Sequence, residues 1–161
     1  MAPPLLYSAA AFVHNSEESD VPPPSHLVVV TAAILDNGRL LAVYRQETDR
    51  WDAPGGYLDR DEAIDEAVRR TVWEETGLLV RPVILTGVYK DIGRREVAVV
   101  FRCTMVGSDV DRHVDAAKAR WLSPEEVRSL MDDASAERLV DSLRLGPPRI
   151  QSHVRTERSE P

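Results

Sequence analysis

Residues 69–77, Arg-Arg-Thr-Val-Trp-Glu-Glu-Thr-Gly, close an amphipathic helix on two adjacent carboxylates and a glycine. A helix already carries partial negative charge at its C-terminal end, so an acid in the last turn costs roughly 0.3–1 kcal/mol. Residues 61–76 carry the helical spacing, with Asp61 placed to cap the start and Gly77 to end it. At about 100° per residue, Ile64, Val68 and Val72 share one stripe that should face a core, and Glu75 falls between Ile64 and Val68 on that side. Thr71 and Glu74 stand at the edge of the stripe. Arg70 is four residues from both Glu66 and Glu74, so acids bracket it. A carboxylate near a core face is costly unless paired. Two readings stand for these acids. They are solvated or held in ordinary ion pairs, or a divalent cation balances them, and oxygen-rich sites suit magnesium or manganese.

The segment before the helix weighs on that choice. Trp51-Asp-Ala-Pro-Gly-Gly-Tyr-Leu-Asp-Arg-Asp61 holds Pro54, Gly55 and Gly56 and reads as a loop. Backbone at Gly55 and Gly56 is unshielded, so its carbonyls can meet a metal and its amides a phosphate. A glycine pair alone is a weak signal. A glycine pair at fixed distance from a helix carrying Arg70, Glu74 and Glu75 is a strong one.

Around this centre, strands are expected at His26–Asp36 and Arg39–Gln46, joined by the turn Asp36-Asn37-Gly38. Strands follow at 78–90 and 95–106, separated by Asp-Ile-Gly-Arg, and a short one at Ala-Arg-Trp-Leu, 119–122. Ser123 caps a helix with Pro124 at its first position, and 134–145 reads as another helix. Strands interleaved with helices favour an α+β fold, a mixed sheet flanked by helices. Residues 1–25 read as an N-terminal appendage, 26–145 as the domain, and 146–161 as an aperiodic, mobile tail.

Composition excludes several functions. The net charge of −7 argues against binding polymeric nucleic acid or an anionic membrane. No apolar run reaches the roughly 18 residues of a membrane span, and the N-terminus lacks a basic leader region, so a cytoplasmic protein is expected. The single cysteine, Cys103, lies in an apolar run and reads as a buried core thiol.

Gly56, then Glu62 after five residues, then after seven more Arg70, Thr71, Val72, Trp73, Glu74, Glu75, Thr76, Gly77 and Leu78 resemble the Nudix box of the Nudix hydrolase family. Every fixed position matches except Thr71, which stands where the family has a glutamate. The likeness covers about residues 26–143, including Trp51 before Pro54-Gly55-Gly56 and the Ala119–Glu126 segment. It implies an α/β/α sandwich and Mg²⁺-dependent attack of metal-bound water on phosphorus in a small nucleotide substrate. By position, Glu74, Glu75 and the Gly55 carbonyl are implied as metal ligands, with Glu62 and Arg70 supporting them.

Thr71 supplies no charge, though its hydroxyl can bond a coordinated water. Two outcomes follow: an active pyrophosphohydrolase, or a catalytically impaired module that binds nucleotide. Asp115, six residues before Trp121, is the candidate general base or extra ligand, against a reading of solvated acidic loop for Asp109, Asp111 and Asp115. Arg45, ending the second strand, should open toward the glycines and pair with a terminal phosphate, or form an ion pair. Tyr44, Trp51, Tyr57 and Tyr89 are candidates for base stacking or for packing. Lys90, Arg94 and Arg95 sit near a hairpin turn, where they steer a polyphosphate or are solvated. Subgroup signatures for ADP-ribose and dinucleoside polyphosphates are missing, which leaves a nucleoside triphosphate or similar small nucleotide. Residues 1–25 have a place in a homodimer by strand exchange.

Overall fold

The computed structural model describes residues 21–108 and 118–154. The N-terminal appendage up to residue 20 and the loop with Asp109, Asp111, His113 and Asp115 lie outside the described residues.

β1 (Leu27–Asp36) and β2 (Arg39–Arg45) form the expected hairpin, with Leu35 opposite Leu40 and Asp36 opposite Arg39. The two residues between them, Asn37 and Gly38, both have positive φ (48° and 76°), which the two-residue turn demands and an Asn-Gly pair supplies. β3 (Arg50–Asp52) pairs with β2, and β4 (Gly55–Tyr57) pairs with β1. The helix α1 (Ile64–Thr76) leads into the long strands β5 (Leu78–Asp91) and β6 (Glu96–Ser108). β7 (Ala119–Leu122), α2 (Pro124–Leu130), α3 (Asp133–Asp141) and β8 (Arg149–His153) complete the described chain.

The sheet runs β3-β2-β1-β6-β5-β8, with β4 added to β1 and β7 to β2. β1 and β6 are parallel, as are β5 and β8, and the other pairings are antiparallel. The mixed sheet is therefore as expected, and period-two alternation shows how it is sandwiched. Val30, Ala32, Ile34, Leu41 and Val43 point to one face, where Ala67, Val68 and Val72 of α1 cover them. Their neighbours Ala33, Leu40 and Ala42 point to the other, against Val127 of α2 and Ala136 and Leu139 of α3. Cys103 is buried in the α1-side core, and burial pushes its thiol up to about 12. Among the described residues, no helix is long and apolar enough to cross a membrane.

Several local expectations change. α1 begins at Ile64 with Ala63 as its capping residue, so Asp61 lies in the preceding turn and does not cap. Glu66 instead reaches back to the Ala63 N–H at 3.2 Å. The buried residues of α1 are Ala67, Val68, Thr71, Val72 and Thr76, whereas Ile64 is 43% exposed because it starts the helix. The glycine segment is not all loop, since Gly55–Tyr57 lie in β4. The supposed tail contributes β8, paired with Gly87–Asp91 of β5.

Candidate active site

Two short elements carry the site: the strand β4 and the last turn of α1. Gly55 is pressed onto β1 so closely that a Cβ there would lie 2.2 Å from the Val30 carbonyl oxygen. Only glycine fits this approach. At Gly56 a Cβ would meet Thr71 Cγ2 at 2.9 Å, so the glycine strand lies directly on the helix at position 71. Gly77 ends α1 in the left-handed conformation (φ 71°), its N–H donating to the Trp73 carbonyl at 2.8 Å.

Glu75 is brought to the glycines. Its Oε1 accepts the Gly55 N–H at 3.1 Å, and its Oε2 lies 2.7 Å from Arg45 Nη1. Arg45 Nη2 also donates to the carbonyls of Ala53 and Gly55, each at 3.2 Å, and Arg45 Nε lies 3.8 Å from Asp52 Oδ2. One guanidinium thus sits in a cradle of oxygens from Glu75, Asp52, Ala53 and Gly55. Burial pushes the Glu75 carboxyl above its ordinary value; the Arg45 charge and the Gly55 N–H act against this, and Asp52 adds to it.

A second ion cluster lies beside the first. Arg70 grips Glu62 through two bonds, Nε to Oε1 at 2.6 Å and Nη2 to Oε2 at 2.8 Å. Its Nη2 also donates to the Tyr57 carbonyl at 3.1 Å, tying α1 to β4. Glu74 is half exposed and rests 3.4 Å from Arg70 Nη1. The bonds from Arg70 hold the Glu62 carboxyl below its ordinary range.

The Thr71 hydroxyl is engaged within its own helix. The residue is 4% exposed, and Oγ1 donates to the Ala67 carbonyl at 2.9 Å. Its proton is turned into the helix backbone, not toward a coordinated water.

Arg45, Asp52, Ala53, Gly55 and Gly56 line an open cleft of about 1250 Å³. Glu137 and Arg138 of α3 and His153 of β8 line the same cleft. Trp51 and Tyr57 also line it, and Arg94 joins them; Tyr44 is bonded to Asp49 and stands edge-on to Trp51. Tyr89 is fully buried with its hydroxyl on Asp141 at 2.8 Å, so it is a core residue and no platform for a base. Asp52 and the cleft residues Glu137, Arg138 and His153 carried no signal of a site in the sequence. Asp52 sits next to Trp51, but nothing local marks it; Glu137, Arg138 and His153 reach the cleft only through contacts between segments far apart in the chain.

Among the described residues, no group of three or more His, Cys, Asp and Glu is assembled to hold a metal ion. The donor chemistry nonetheless fits magnesium or manganese. Both ions favour hard oxygens, and magnesium is commonly held by one or two carboxylates with substrate phosphates supplying the rest. Glu75, the Gly55 carbonyl and the nearby Glu74 fit that description, provided Arg45 yields the oxygens it now holds.

Comparison with known proteins gives the family and the fold. The NUDIX domain family model matches residues 25–143. A MutT-like protein of Streptomyces ambofaciens is 38% identical over 142 residues, covering 88% of this chain and 92% of that protein. An ADP-ribose pyrophosphatase of Methanocaldococcus jannaschii is 25% identical over 116 residues, 67% of this chain and 69% of that protein. Among solved structures, an ADP-ribose pyrophosphatase of Streptococcus suis superposes with a TM-score of 0.65 at 20% identity, over 80% of this chain and all of that one.

Proposed function

This chain belongs to the Nudix family, and on that premise we propose that it is a Mg²⁺-dependent pyrophosphohydrolase. Its substrate in this reading is a nucleoside triphosphate or another small molecule linked through a nucleoside diphosphate. The observation that carries the reading is the meeting of Glu75, Gly55 and Arg45 beside the cleft, Glu75 being 20 and 30 residues from the other two in sequence. Names of relatives support the phosphoanhydride class: an ADP-ribose pyrophosphatase and the phosphatase NudJ of Escherichia coli, 28% identical over 109 residues.

Glu74, Glu75 and the Gly55 carbonyl would hold the ion. A divalent cation there supplies charge neutralisation on the phosphates and lowers the pKa of water. The remaining work falls to this chain's own groups. Glu62 and Arg70 fix α1 against β4, so that the carboxylate of residue 75 and the carbonyl of residue 55 keep their spacing. Arg45 offers a forked donor to a phosphate. The glycines admit the substrate to the backbone without side chains in the way. Asp115 is the proposed general base.

The test is a screen of nucleoside triphosphates, nucleoside diphosphate sugars and ADP-ribose for release of phosphate or pyrophosphate, with Mg²⁺ and with EDTA. Turnover that EDTA abolishes is expected, and Glu75→Gln should lower it by at least about 100-fold while leaving the melting temperature near that of the wild type. The burial of Thr71 favours one second reading, a module that binds nucleotide without turning it over. A nucleotide that raises the melting temperature but is never hydrolysed would establish it.

A further inference from the structure

The Arg45 guanidinium does more at this site than wait for a phosphate. It touches both oxygens of Glu75, at 2.7 Å for Oε2 and 3.4 Å for Oε1, together with the Gly55 carbonyl oxygen at 3.2 Å. Those are two of the three groups that would hold a divalent ion. An ion bonded to the same oxygens would sit within a few ångströms of a fixed positive charge, in a part-buried site where Coulomb repulsion is strong. The two cations therefore exclude one another on Glu75 and Gly55. Arg45 also lines the open cleft from the end of β2, so its long side chain can turn to a ligand there without unfolding an element.

We propose that Arg45 is a resident cation that couples metal and substrate: it holds Glu75 and the glycine strand in place, and the substrate's phosphate draws it off so that the divalent ion can enter. This rests on the pyrophosphohydrolase reading for the identity of the phosphate. Metal and phosphate then bind cooperatively, because each favours the conformation in which Arg45 has left Glu75. By linkage the effect is reciprocal: phosphate raises metal affinity by the factor by which metal raises phosphate affinity. The position vacated by a glutamate at Thr71 sharpens this behaviour. With one carboxylate fewer, the cradle has less charge with which to hold a guanidinium and a divalent ion together.

Titration with Mn²⁺ followed by electron paramagnetic resonance, without nucleotide, reads the coupling directly. Arg45→Gln removes the competing charge and is expected to bind Mn²⁺ at least about tenfold more tightly than the wild type. Arg45→Lys keeps the charge and should stay near the wild type. Equal or weaker Mn²⁺ binding by Arg45→Gln overturns the proposal. Should that variant fail to fold, the wild-type protein carries the test: inorganic phosphate must raise its Mn²⁺ affinity, and an unchanged affinity overturns the coupling. A protein that hydrolyses no nucleotide yet gains Mn²⁺ affinity on Arg45→Gln loses the proposed reaction and keeps this coupling. A nucleotide hydrolase with unchanged Mn²⁺ affinity does the reverse.

Discussion

Thr71 separates this chain from the family pattern, and its surroundings say what a glutamate there would do. The side chain is buried beneath Gly56 and one helical turn before Glu75. Thr71→Glu places a second carboxylate beside the first, where burial already pushes Glu75 toward its neutral form. In EDTA the variant should lose roughly 1–3 kcal/mol of stability. Mg²⁺ should restore part of that loss and raise the hydrolysis rate. Calorimetry with and without Mg²⁺ checks this, and a metal-independent melting temperature would place residue 71 away from the ion. Sequence reasoning located this position but misjudged its exposure. A helical wheel weights large apolar residues, so it placed Ile64 on the core and Thr71 at the edge. Beside Val68 and Val72, the helix in fact also buries the small residues Ala67 and Thr71, and at Thr71 the strand β4 lies directly on it through Gly56. Tyr89 was equally illegible, since its buried state depends on Asp141, 52 residues downstream.

The helix and the glycine strand act as one unit, and the Arg70–Glu62 pair is its fastening. Because Arg70 lowers the Glu62 pKa in the folded protein, the pair's contribution is present above the ordinary value of 4.5 and fades as pH falls through the lowered one. Glu62→Gln should therefore be less stable than the wild type at pH 7, with the gap closing in acid. Denaturant titrations at a series of pH values check it, and a gap that is independent of pH would mean the ionic bond contributes nothing. Gly55→Ala tests the contact of β4 with β1. A Cβ against the Val30 carbonyl must move backbone, at a cost of about 1–3 kcal/mol or more. Gly56→Ala meets only a threonine methyl and should cost less, and equal losses would refute the wedge at Gly55. The box spacing, the Asn-Gly turn and the Ser123 cap were readable because each is settled within a few residues. That Gly55–Tyr57 form a strand was not: glycine is a poor strand former, and only the distant β1 imposes the pairing.

Across the molecule, the cleft is shaped by parts of the chain far from the motif. β8 was hidden in the sequence because its alternation is inverted. Arg149, Gln151 and His153 are half-buried while Ile150 is 85% exposed, so no hydrophobic pattern announces a strand. What holds it is polar. Arg149 lies 3.6 Å from Glu137 and 3.5 Å from Asp141, and the His153 ring stacks on Tyr89 with centroids 6.4 Å apart. The two main cores contain no β8 residue, so the sandwich can close without it. Removing residues 147–161 should leave a folded protein with a lower melting temperature. It would also strip His153 and Val154 from the cleft and release Glu137 from its partners. If the wall with Glu137, Arg138 and His153 holds the part of the substrate beyond the diphosphate, the truncated protein keeps its kcat and its KM rises about tenfold, a loss of binding worth about 1.4 kcal/mol. Steady-state kinetics on the best substrate from the nucleotide screen decides this. A fall in kcat at constant KM would instead tie β8 to the geometry of the glycine strand and the Glu75 carboxylate.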